Sequence, residues 1–377
     1  MKSSAILELS SVHLIGIGGI SMSAIAHILL ERGIKVSGSD AKASATTDTL
    51  KTQGATIYIG HSQEHITTQE AIIYTGAIDE ANPEFAKALE CNIPIFRRTE
   101  AINQLMANYP IAIAISGTHG KTSTTTMTTM ILDAAQQEPS YLVGAKIPSS
   151  NKAYHMSPSD FIAVEACEYK AGFLDLHPTT LVVNNIEEEH LDFYKNIDAI
   201  VDTFTQFANH LQSEHFLILN HDDFNTRKLL KNHSAKVLTF GISTTADYEA
   251  KQVTFDYDGK ATFDLYFKGD FQLKITLNVS GKHNVYNALG AIAATHANGI
   301  SFESAQKALA VFCNAERRFE DIGHYNGARI VSDYAHHPSE VKATLQAALS
   351  YGHADVYVVF QPHTYSRTKS LLLDLAS

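Results

Sequence analysis

The octapeptide Ser116-Gly117-Thr118-His119-Gly120-Lys121-Thr122-Ser123 follows the apolar run Ile111–Ile115 and combines two glycines, a lysine and several hydroxyls. Glycines let backbone N–H groups turn toward an anion, and a helix beginning at about Lys121 adds the positive end of its dipole. Lys121 is placed to neutralise β- and γ-phosphate oxygens, and Thr122 to offer its hydroxyl to Mg²⁺. The usual phosphate loop spaces its glycines five positions apart, whereas Gly117 and Gly120 stand three apart. The competing reading is a threonine-rich helix cap after a buried strand. Two further loops bear on the choice. Glu165 ends the run Phe161–Glu165, and Asn185, Glu187 and His190 follow the run Leu181–Val183. In a parallel sheet these strand ends share an edge with the phosphate loop, so Glu165 and His190 could hold a second divalent cation.

Other clusters point to binding. Gly16 and Gly18, with Ser21 in place of a third glycine and Asp40 after the next strand, approximate a dinucleotide fingerprint; tight strand–helix packing is the alternative. His283, Asn284 and Asn287 stand at a loop–helix junction and suit a purine edge, with helix capping as the plainer role. Arg317 and Arg318 precede the last segment, where domain closure could bring one onto a phosphate and a surface ion pair with Glu316 or Glu320 is the alternative. Asp333, Tyr334, His336, His363 and Arg367 follow two apolar runs near the end and suit a ribose hydroxyl and a small zwitterion, arginine for carboxylate and histidine as orienter or base.

These groups need a scaffold. The 377 residues leave room for two or three domains. Residues 1–108 alternate apolar strands (VHLIGIG, IKVSGSD, ATIYIG, AIIYTGA, IPIFRR) with helical patterns, which predicts a parallel α/β sheet. Residues 109–314 repeat the alternation and then give period-2 runs with turns at Asp258-Gly259 and Gly269-Asp270, an antiparallel meander on an α/β core. Residues 315–377 place strands ARIVSDYA and DVYVVFQP around the helix PSEVKATLQAALSYG. This third unit is short beside the ~100–150 residues typical of a domain, so a partial domain is expected. Net charge is −11, from 29 basic and 40 acidic residues, which disfavours a general nucleic-acid binder. No apolar run approaches the ~20 residues of a membrane span. Cys91, Cys167 and Cys313 lack metal-ligand spacing and predict reduced thiols in a cytoplasmic protein.

In order along the chain, GIGGISMSAIA, SGSD, SGTHGKTSTTT, EACEY, NNIEEEHLD, GKHNVYNALGAIA, RRFE, DYAHHPSEV and QPHTYSRT closely resemble the Mur ligase family. Its phosphate loop reads G-T-x-G-K-[ST], which accounts for the glycine spacing. The resemblance implies an α/β fold in three domains. These are an N-terminal Rossmann-like domain for a UDP-sugar, a central P-loop ATPase-like domain carrying the meander, and a C-terminal Rossmann-like domain, here partial, for an amino acid. It implies an ATP-dependent carbon–nitrogen ligase of peptidoglycan precursor synthesis that joins L-alanine to UDP-N-acetylmuramate through an acyl phosphate, with ATP and two Mg²⁺ ions. By position it assigns Gly117, Thr118, His119, Gly120, Lys121, Thr122 and Ser123 to the ATP phosphates. Thr122, Glu165 and His190 would hold metal. His283, Asn284, Asn287, Arg318 and Asp333 would hold the nucleotide, and Tyr334, His336, His363 and Arg367 the alanine. Gly16, Gly18, Gly19, Ser39, Asp40 and Thr75 would hold the UDP-sugar. Catalysis would fall to Lys121, Glu165, His190, His336, His363 and Arg367. Three other readings stay open. One is a ligase that attaches a recycled peptide to the same sugar. Another is a UDP-sugar or nucleotide binder without turnover. The third is an NAD(P)-dependent oxidoreductase, which leaves Lys121, Thr122 and both late histidine clusters without a role.

Overall fold

The structure is a computed structural model that describes residues 6–147, 150–191, 193–231, 233–314, 318–350, 355–362, 365–370 and 372–376. Strands β1 (Ser11–Ile15), β2 (Lys35–Asp40), β3 (Thr56–Ile59), β4 (Ala71–Tyr74) and β5 (Ile95–Arg97) pair in the order β3-β2-β1-β4-β5, all parallel. Helices α1 (Ile20–Glu31), α2 (Ala45–Thr52), α3 (Pro83–Glu90) and α4 (Arg98–Met106) supply the crossovers. The strand order reverses between β1 and β4, the crevice where open α/β sheets bind ligands. Gly16 stands there with φ +82°, and a Cβ on it would meet Thr75 Cγ2 at 2.6 Å, so glycine is needed for the close turn.

Beneath this crevice lies a buried carboxylate. Glu84, at the start of α3, accepts from the Ser39 hydroxyl at 2.6 Å and lies 2.8 Å from His61 Nδ1, 2.6 Å from His65 Nδ1 and 3.4 Å from His13 Nε2. Burial alone would raise its pKa, but hydrogen bonds from His13, Ser39, His65 and His61 hold it down at about 2. A depressed carboxyl contributes stability above its ordinary value near 4.5, and that stability is lost as pH falls through about 2. Glu84→Gln, which keeps shape and removes charge, is expected to cost about 1–3 kcal/mol in urea unfolding at neutral pH and to flatten the acid limb between pH 5 and 2. An unchanged acid limb in that variant would assign the limb elsewhere.

The second sheet contains β6 (Ile111–Ser116), β7 (Ser140–Ile147), β8 (Lys152–His155), β9 (Phe161–Glu165), β10 (Thr180–Val183), β11 (Phe216–Asn220), β12 (Lys236–Gly241), β13 (Tyr248–Phe255), β14 (Lys260–Phe267) and β15 (Asp270–Ser280). Their order is β15-β14-β13-β12-β11-β10-β6-β9-β7-β8. The central strands β11, β10, β6 and β9 are parallel, so the loops after β6, β9 and β10 emerge at one edge. The meander β13-β14-β15 extends the same sheet antiparallel. Its last turn, Lys268-Gly269, has both φ values positive (50° and 88°), the backbone of a two-residue hairpin. Strands β7 and β8 have no clear sequence signal: Gly144 and Lys146 interrupt the apolar pattern of β7, and the pairing of β7 with β9 and of β8 with β7 supplies what propensity does not.

Helices α5 (Lys121–Ala134), α6 (Ile197–Ala208), α7 (Lys282–Ala297) and α8 (Phe302–Leu309) complete this unit. The threonine run of α5 is a packing device. Thr125, Thr126, Thr128 and Thr129 are buried and donate to the carbonyls of Lys121, Thr122, Thr124 and Thr125 at 2.8–2.9 Å. With the hydroxyl so engaged, threonine packs as a small apolar residue. The small buried face of α7, Ala288, Gly290, Ala291 and Ala294, lies in the same core layer. A separate core runs continuously from Leu14 of the first sheet and Ile25 of α1 to Val164 of the second sheet and Phe204 of α6.

In the last segment β16 (Glu320–Tyr325) and β17 (Ala328–Ser332) form an antiparallel pair, followed by α9 (Pro338–Ser350), α10 (Tyr365–Ser370) and α11 (Leu372–Ala376). The strand expected over DVYVVFQP is not formed: residues 355–362 carry no ladder, and Tyr357 and Val359 are exposed. A strand needs a hydrogen-bonded neighbour, and among the described residues β17 pairs only with β16. Among the described residues no helix is long and apolar enough to cross a membrane.

Candidate active site

The loop between β6 and α5 has the backbone the glycines predict. Gly117 has φ +130° and Gly120 φ +78°, and Gly120 stands at the N-terminus of α5. Asn185 fixes the loop from the neighbouring strand end: its carbonyl accepts from Thr118 N at 3.0 Å and its side chain from His119 N at 2.8 Å. Lys121 folds back as a strut. Its Nζ donates to the carbonyls of Gly117 (2.6 Å) and Thr118 (2.9 Å) and pairs with both oxygens of Glu168 at 2.9 and 3.1 Å. Burial opposes the charge on Lys121, but Glu168 outweighs it and raises the pKa, so the ammonium persists. Glu168 also faces His190 at 3.6 Å, and its carbonyl accepts from the Tyr194 hydroxyl at 2.5 Å.

Glu165 accepts from the Thr122 hydroxyl and from Gly144 N, both at 2.9 Å. Thr122 and Glu165 therefore present hard oxygen donors side by side at the end of β9, a donor set that fits Mg²⁺. His190, with φ +55°, pairs with Glu168 and Glu189 at the back of the lysine. The structure thus puts Thr122 and Glu165 together and joins His190 to them through Glu168 and Lys121.

Gly120 is the tightest point of the loop. A Cβ there would fall 2.2 Å from Asn287 Oδ1. Asn287 in turn donates to Asn284 Oδ1 at 3.0 Å, and Asn284 donates to Ser280 O at 2.8 Å. Gly120→Ala must therefore strain the backbone and push Asn287 aside. The expected outcome is a loss of about 1–3 kcal/mol in stability and at least about tenfold in affinity for a non-hydrolysable ATP analogue by calorimetry. Wild-type affinity in that variant would show that the turn is not used for phosphate.

Two cavities meet at this edge. One, of about 210 Å³, is lined by Gly120, Asn184, His283, Asn287, Arg318 and Asp333 among others. Burial pushes His283 down to about 4, so its ring is a neutral hydrogen-bonding group at pH 7. Tyr286, on the same wall, donates to Asp222 at 2.9 Å. The second cavity, of about 750 Å³, opens between the first two sheets and has Ile20, Thr122, Gly144, Glu165, Arg318 and Tyr334 on its walls. All three segments of the chain reach it. Arg318 lies on both cavities, 5.7 Å from the Tyr334 ring and 3.8 Å from Glu340 of the last segment, and Glu316 lies outside the described residues.

Sequence-selected residues in the first segment have mixed surroundings. Gly16 N and Ile17 N donate to Ser39 O, Gly19 caps α1, and Asp40 accepts from Gly18 N at 2.9 Å. The Ser39 side chain is turned inward onto Glu84. In the last segment Asp333 accepts from Phe319 N (2.7 Å) and Ala335 N (2.6 Å) and holds the turn that presents Tyr334. His336 directs Nδ1 to the Tyr334 carbonyl at 2.8 Å. His363 and Arg317 lie outside the described residues, as does the side chain of Arg367, whose backbone is in α10.

Sequence reasoning did not anticipate how the last segment grips the phosphate loop. His119 Nδ1 lies 3.1 Å from Glu340 of α9, and its Nε2 lies 3.3 Å from Glu187 and 2.9 Å from the Ser339 hydroxyl. Burial would lower the His119 pKa, but Glu187 and Glu340 raise it to about 9. Glu340, buried yet facing His119 and Arg318, is held well below the usual carboxylate range. The available signal was Ser339 and Glu340 directly after the His336-His337-Pro338 turn.

Known proteins share the sequence pattern and the fold. The model of the Mur ligase family catalytic domain matches residues 11–110, that of the Mur ligase middle domain residues 115–295, and that of the Mur ligase glutamate ligase domain residues 317–377. A UDP-N-acetylmuramate–L-alanine ligase of Clostridium acetobutylicum is 46% identical over 97% of this chain and 80% of its own length. One of Caldanaerobacter subterraneus subsp. tengcongensis is 42% identical over 97% and 79%. The crystal structure of UDP-N-acetylmuramate-alanine ligase from Thermotoga maritima superposes with a TM-score of 0.83 at 27% identity, covering 96% of this chain and 83% of that one. On its sequence, its three segments and the edge they share, the chain belongs to the Mur ligase family.

Proposed function

We propose that this enzyme joins L-alanine to the lactyl carboxylate of UDP-N-acetylmuramate, with ATP hydrolysed to ADP and phosphate, in peptidoglycan precursor synthesis in the cytoplasm. The observation that carries the reading is the 750 Å³ cleft, because it brings Thr122 and Glu165 of the phosphate edge, Ile20 of the first segment and Tyr334 of the last around one space. A carboxylate is a poor electrophile, so it must first become an acyl phosphate. Its oxygen attacks the γ-phosphorus, and the bond to the ADP oxygen breaks. The alanine amine then attacks the acyl carbon, phosphate leaves, and the nitrogen gives up a proton.

The protein's task is to hold mutually repelling anions in line. The loop amides and the α5 N-terminus face the phosphates, and Lys121 adds a fixed positive charge beneath them. Thr122 and Glu165 would hold Mg²⁺, which neutralises phosphate charge as it shifts to the leaving oxygen. The neutral His283 with Asn284 and Asn287 supplies the polar wall for the base. His336, whose Nδ1 lies 2.8 Å from the carbonyl of the cleft residue Tyr334, is placed to take the amine proton. The test is ADP release that requires UDP-N-acetylmuramate and L-alanine together. Release with the murein tripeptide but not with L-alanine would move the chain to the peptide-recycling ligases, and release with neither would defeat the proposal.

A further inference from the structure

His119, Glu187 and His337 come from three places in the chain, the phosphate loop, the loop after β10 and the turn ahead of α9. One ligand-capable atom of each lies within 4.8 Å of the others. His119 Nε2 is 3.3 Å and His337 Nδ1 3.7 Å from Glu187 Oε2. The Ser339 hydroxyl stands among them, 2.9 Å from His119 Nε2, 2.7 Å from Glu187 Oε2 and 2.7 Å from His337 Nδ1.

A proton count makes this cluster unusual. His337 Nε2 lies 3.1 Å from the Glu188 carbonyl oxygen, so in the neutral ring that nitrogen carries the hydrogen and Nδ1 is a lone pair. Ser339 then faces two acceptors, His337 Nδ1 and Glu187, with one hydrogen to give. The second hydrogen comes from the charged His119, whose Nε2 lies 3.3 Å from Glu187, and a cation could take the place of that proton. His119 has the same build: its Nδ1 is backed by Glu340 at 3.1 Å while Nε2 points into the cluster. An imidazole backed by a carboxylate or carbonyl is the arrangement that orients metal-ligating histidines.

The geometry points to a binding site for a borderline divalent cation, best matched by Zn²⁺, held by His119 Nε2, His337 Nδ1 and Glu187 Oε2. Ligands at about 2.0–2.1 Å in a tetrahedron lie about 3.4 Å apart, close to the spacings around Glu187. Water or the displaced Ser339 hydroxyl fills the fourth position. Mg²⁺, which wants six oxygens, is a poor competitor at two imidazoles. This site is separate from Thr122 and Glu165. Occupied, it would tie the phosphate loop to the last segment, with the proton on His119 expelled as the metal enters.

The test is a Zn²⁺ titration of the full chain against a chromophoric chelator in excess Mg²⁺, with Co²⁺ as a visible-absorption probe. One Zn²⁺ per chain is expected, with a tetrahedral Co²⁺ spectrum. Glu187→Gln and His337→Gln should each weaken binding by about a hundredfold, and Glu340→Gln, which backs His119 without being a ligand, by about tenfold. His65→Gln, in the separate Glu84 cluster, should leave binding as it was. A wild-type chain that takes up no Zn²⁺ overturns the inference, whatever the variants do, and means that a proton alone completes the cluster. Binding that survives His337→Gln, or that is lost with His65→Gln instead, overturns it equally.

Discussion

Lys121→Met is expected to lower ATP consumption, measured with both other substrates present, by about a thousandfold, the upper range for removing one preorganised charge donor from a reacting oxyanion. The same change touches stability, and the two effects must be separated. In the wild type the ammonium satisfies Glu168, which is 2% exposed. Methionine leaves that carboxylate buried with, among the described residues, His190 opposite it at 3.6 Å. Breaking a buried pair from one side costs about 3 kcal/mol. The double variant Lys121→Met, Glu168→Gln removes both charges and is expected to recover most of that stability without recovering turnover. If the double variant regains activity, Lys121 serves the fold and the phosphate field comes from elsewhere. If Lys121→Met alone retains turnover, the loop is not the site of phosphoryl transfer.

The lysine also shows how far the sequence reaches. The apolar run and the octapeptide after it foretold the strand, the glycine turn and the helix start, because these are local consequences of residue type. The parallel order of both sheets followed from strand–helix alternation, and it placed Glu165 and the Asn185 loop beside Lys121 before any coordinates. Partner choice was harder to read. That Lys121 pairs with Glu168 while Glu165 takes Thr122 depends on which way the chain turns after β9, and Lys170 and Ala171 there have positive φ values that no periodicity signals. Asp40 has the position expected of a ribose ligand, yet its carboxylate accepts from Gly18 N. The grip of α9 on His119 joins residues more than two hundred positions apart and leaves no mark in either segment alone.

That grip carries the second large effect. The His119 pKa rises from 6.5 to about 9 when Glu187 and Glu340 close on it. A raised pKa means that the folded state binds the proton more tightly, so the contribution is complete below about 6.5 and disappears as pH climbs through about 9. Its size is on the order of 3 kcal/mol. Glu340 and Glu187 shift downward, so their own contributions are complete above about 4.5 and are lost only in acid. His283, lowered to about 4, likewise titrates on the acid side. The alkaline limb between pH 6.5 and 9.5 therefore belongs to His119. Amide hydrogen exchange in α9, corrected for the intrinsic rate at each pH, is expected to lose about a hundredfold of protection across that range. His119→Gln keeps a hydrogen-bond donor but has no charge to lose, so its α9 should start less protected and show a flat profile. Equal protection at both ends of the range in the wild type, or an alkaline limb that persists in His119→Gln, would mean that the imidazolium does not hold the last segment on the phosphate loop.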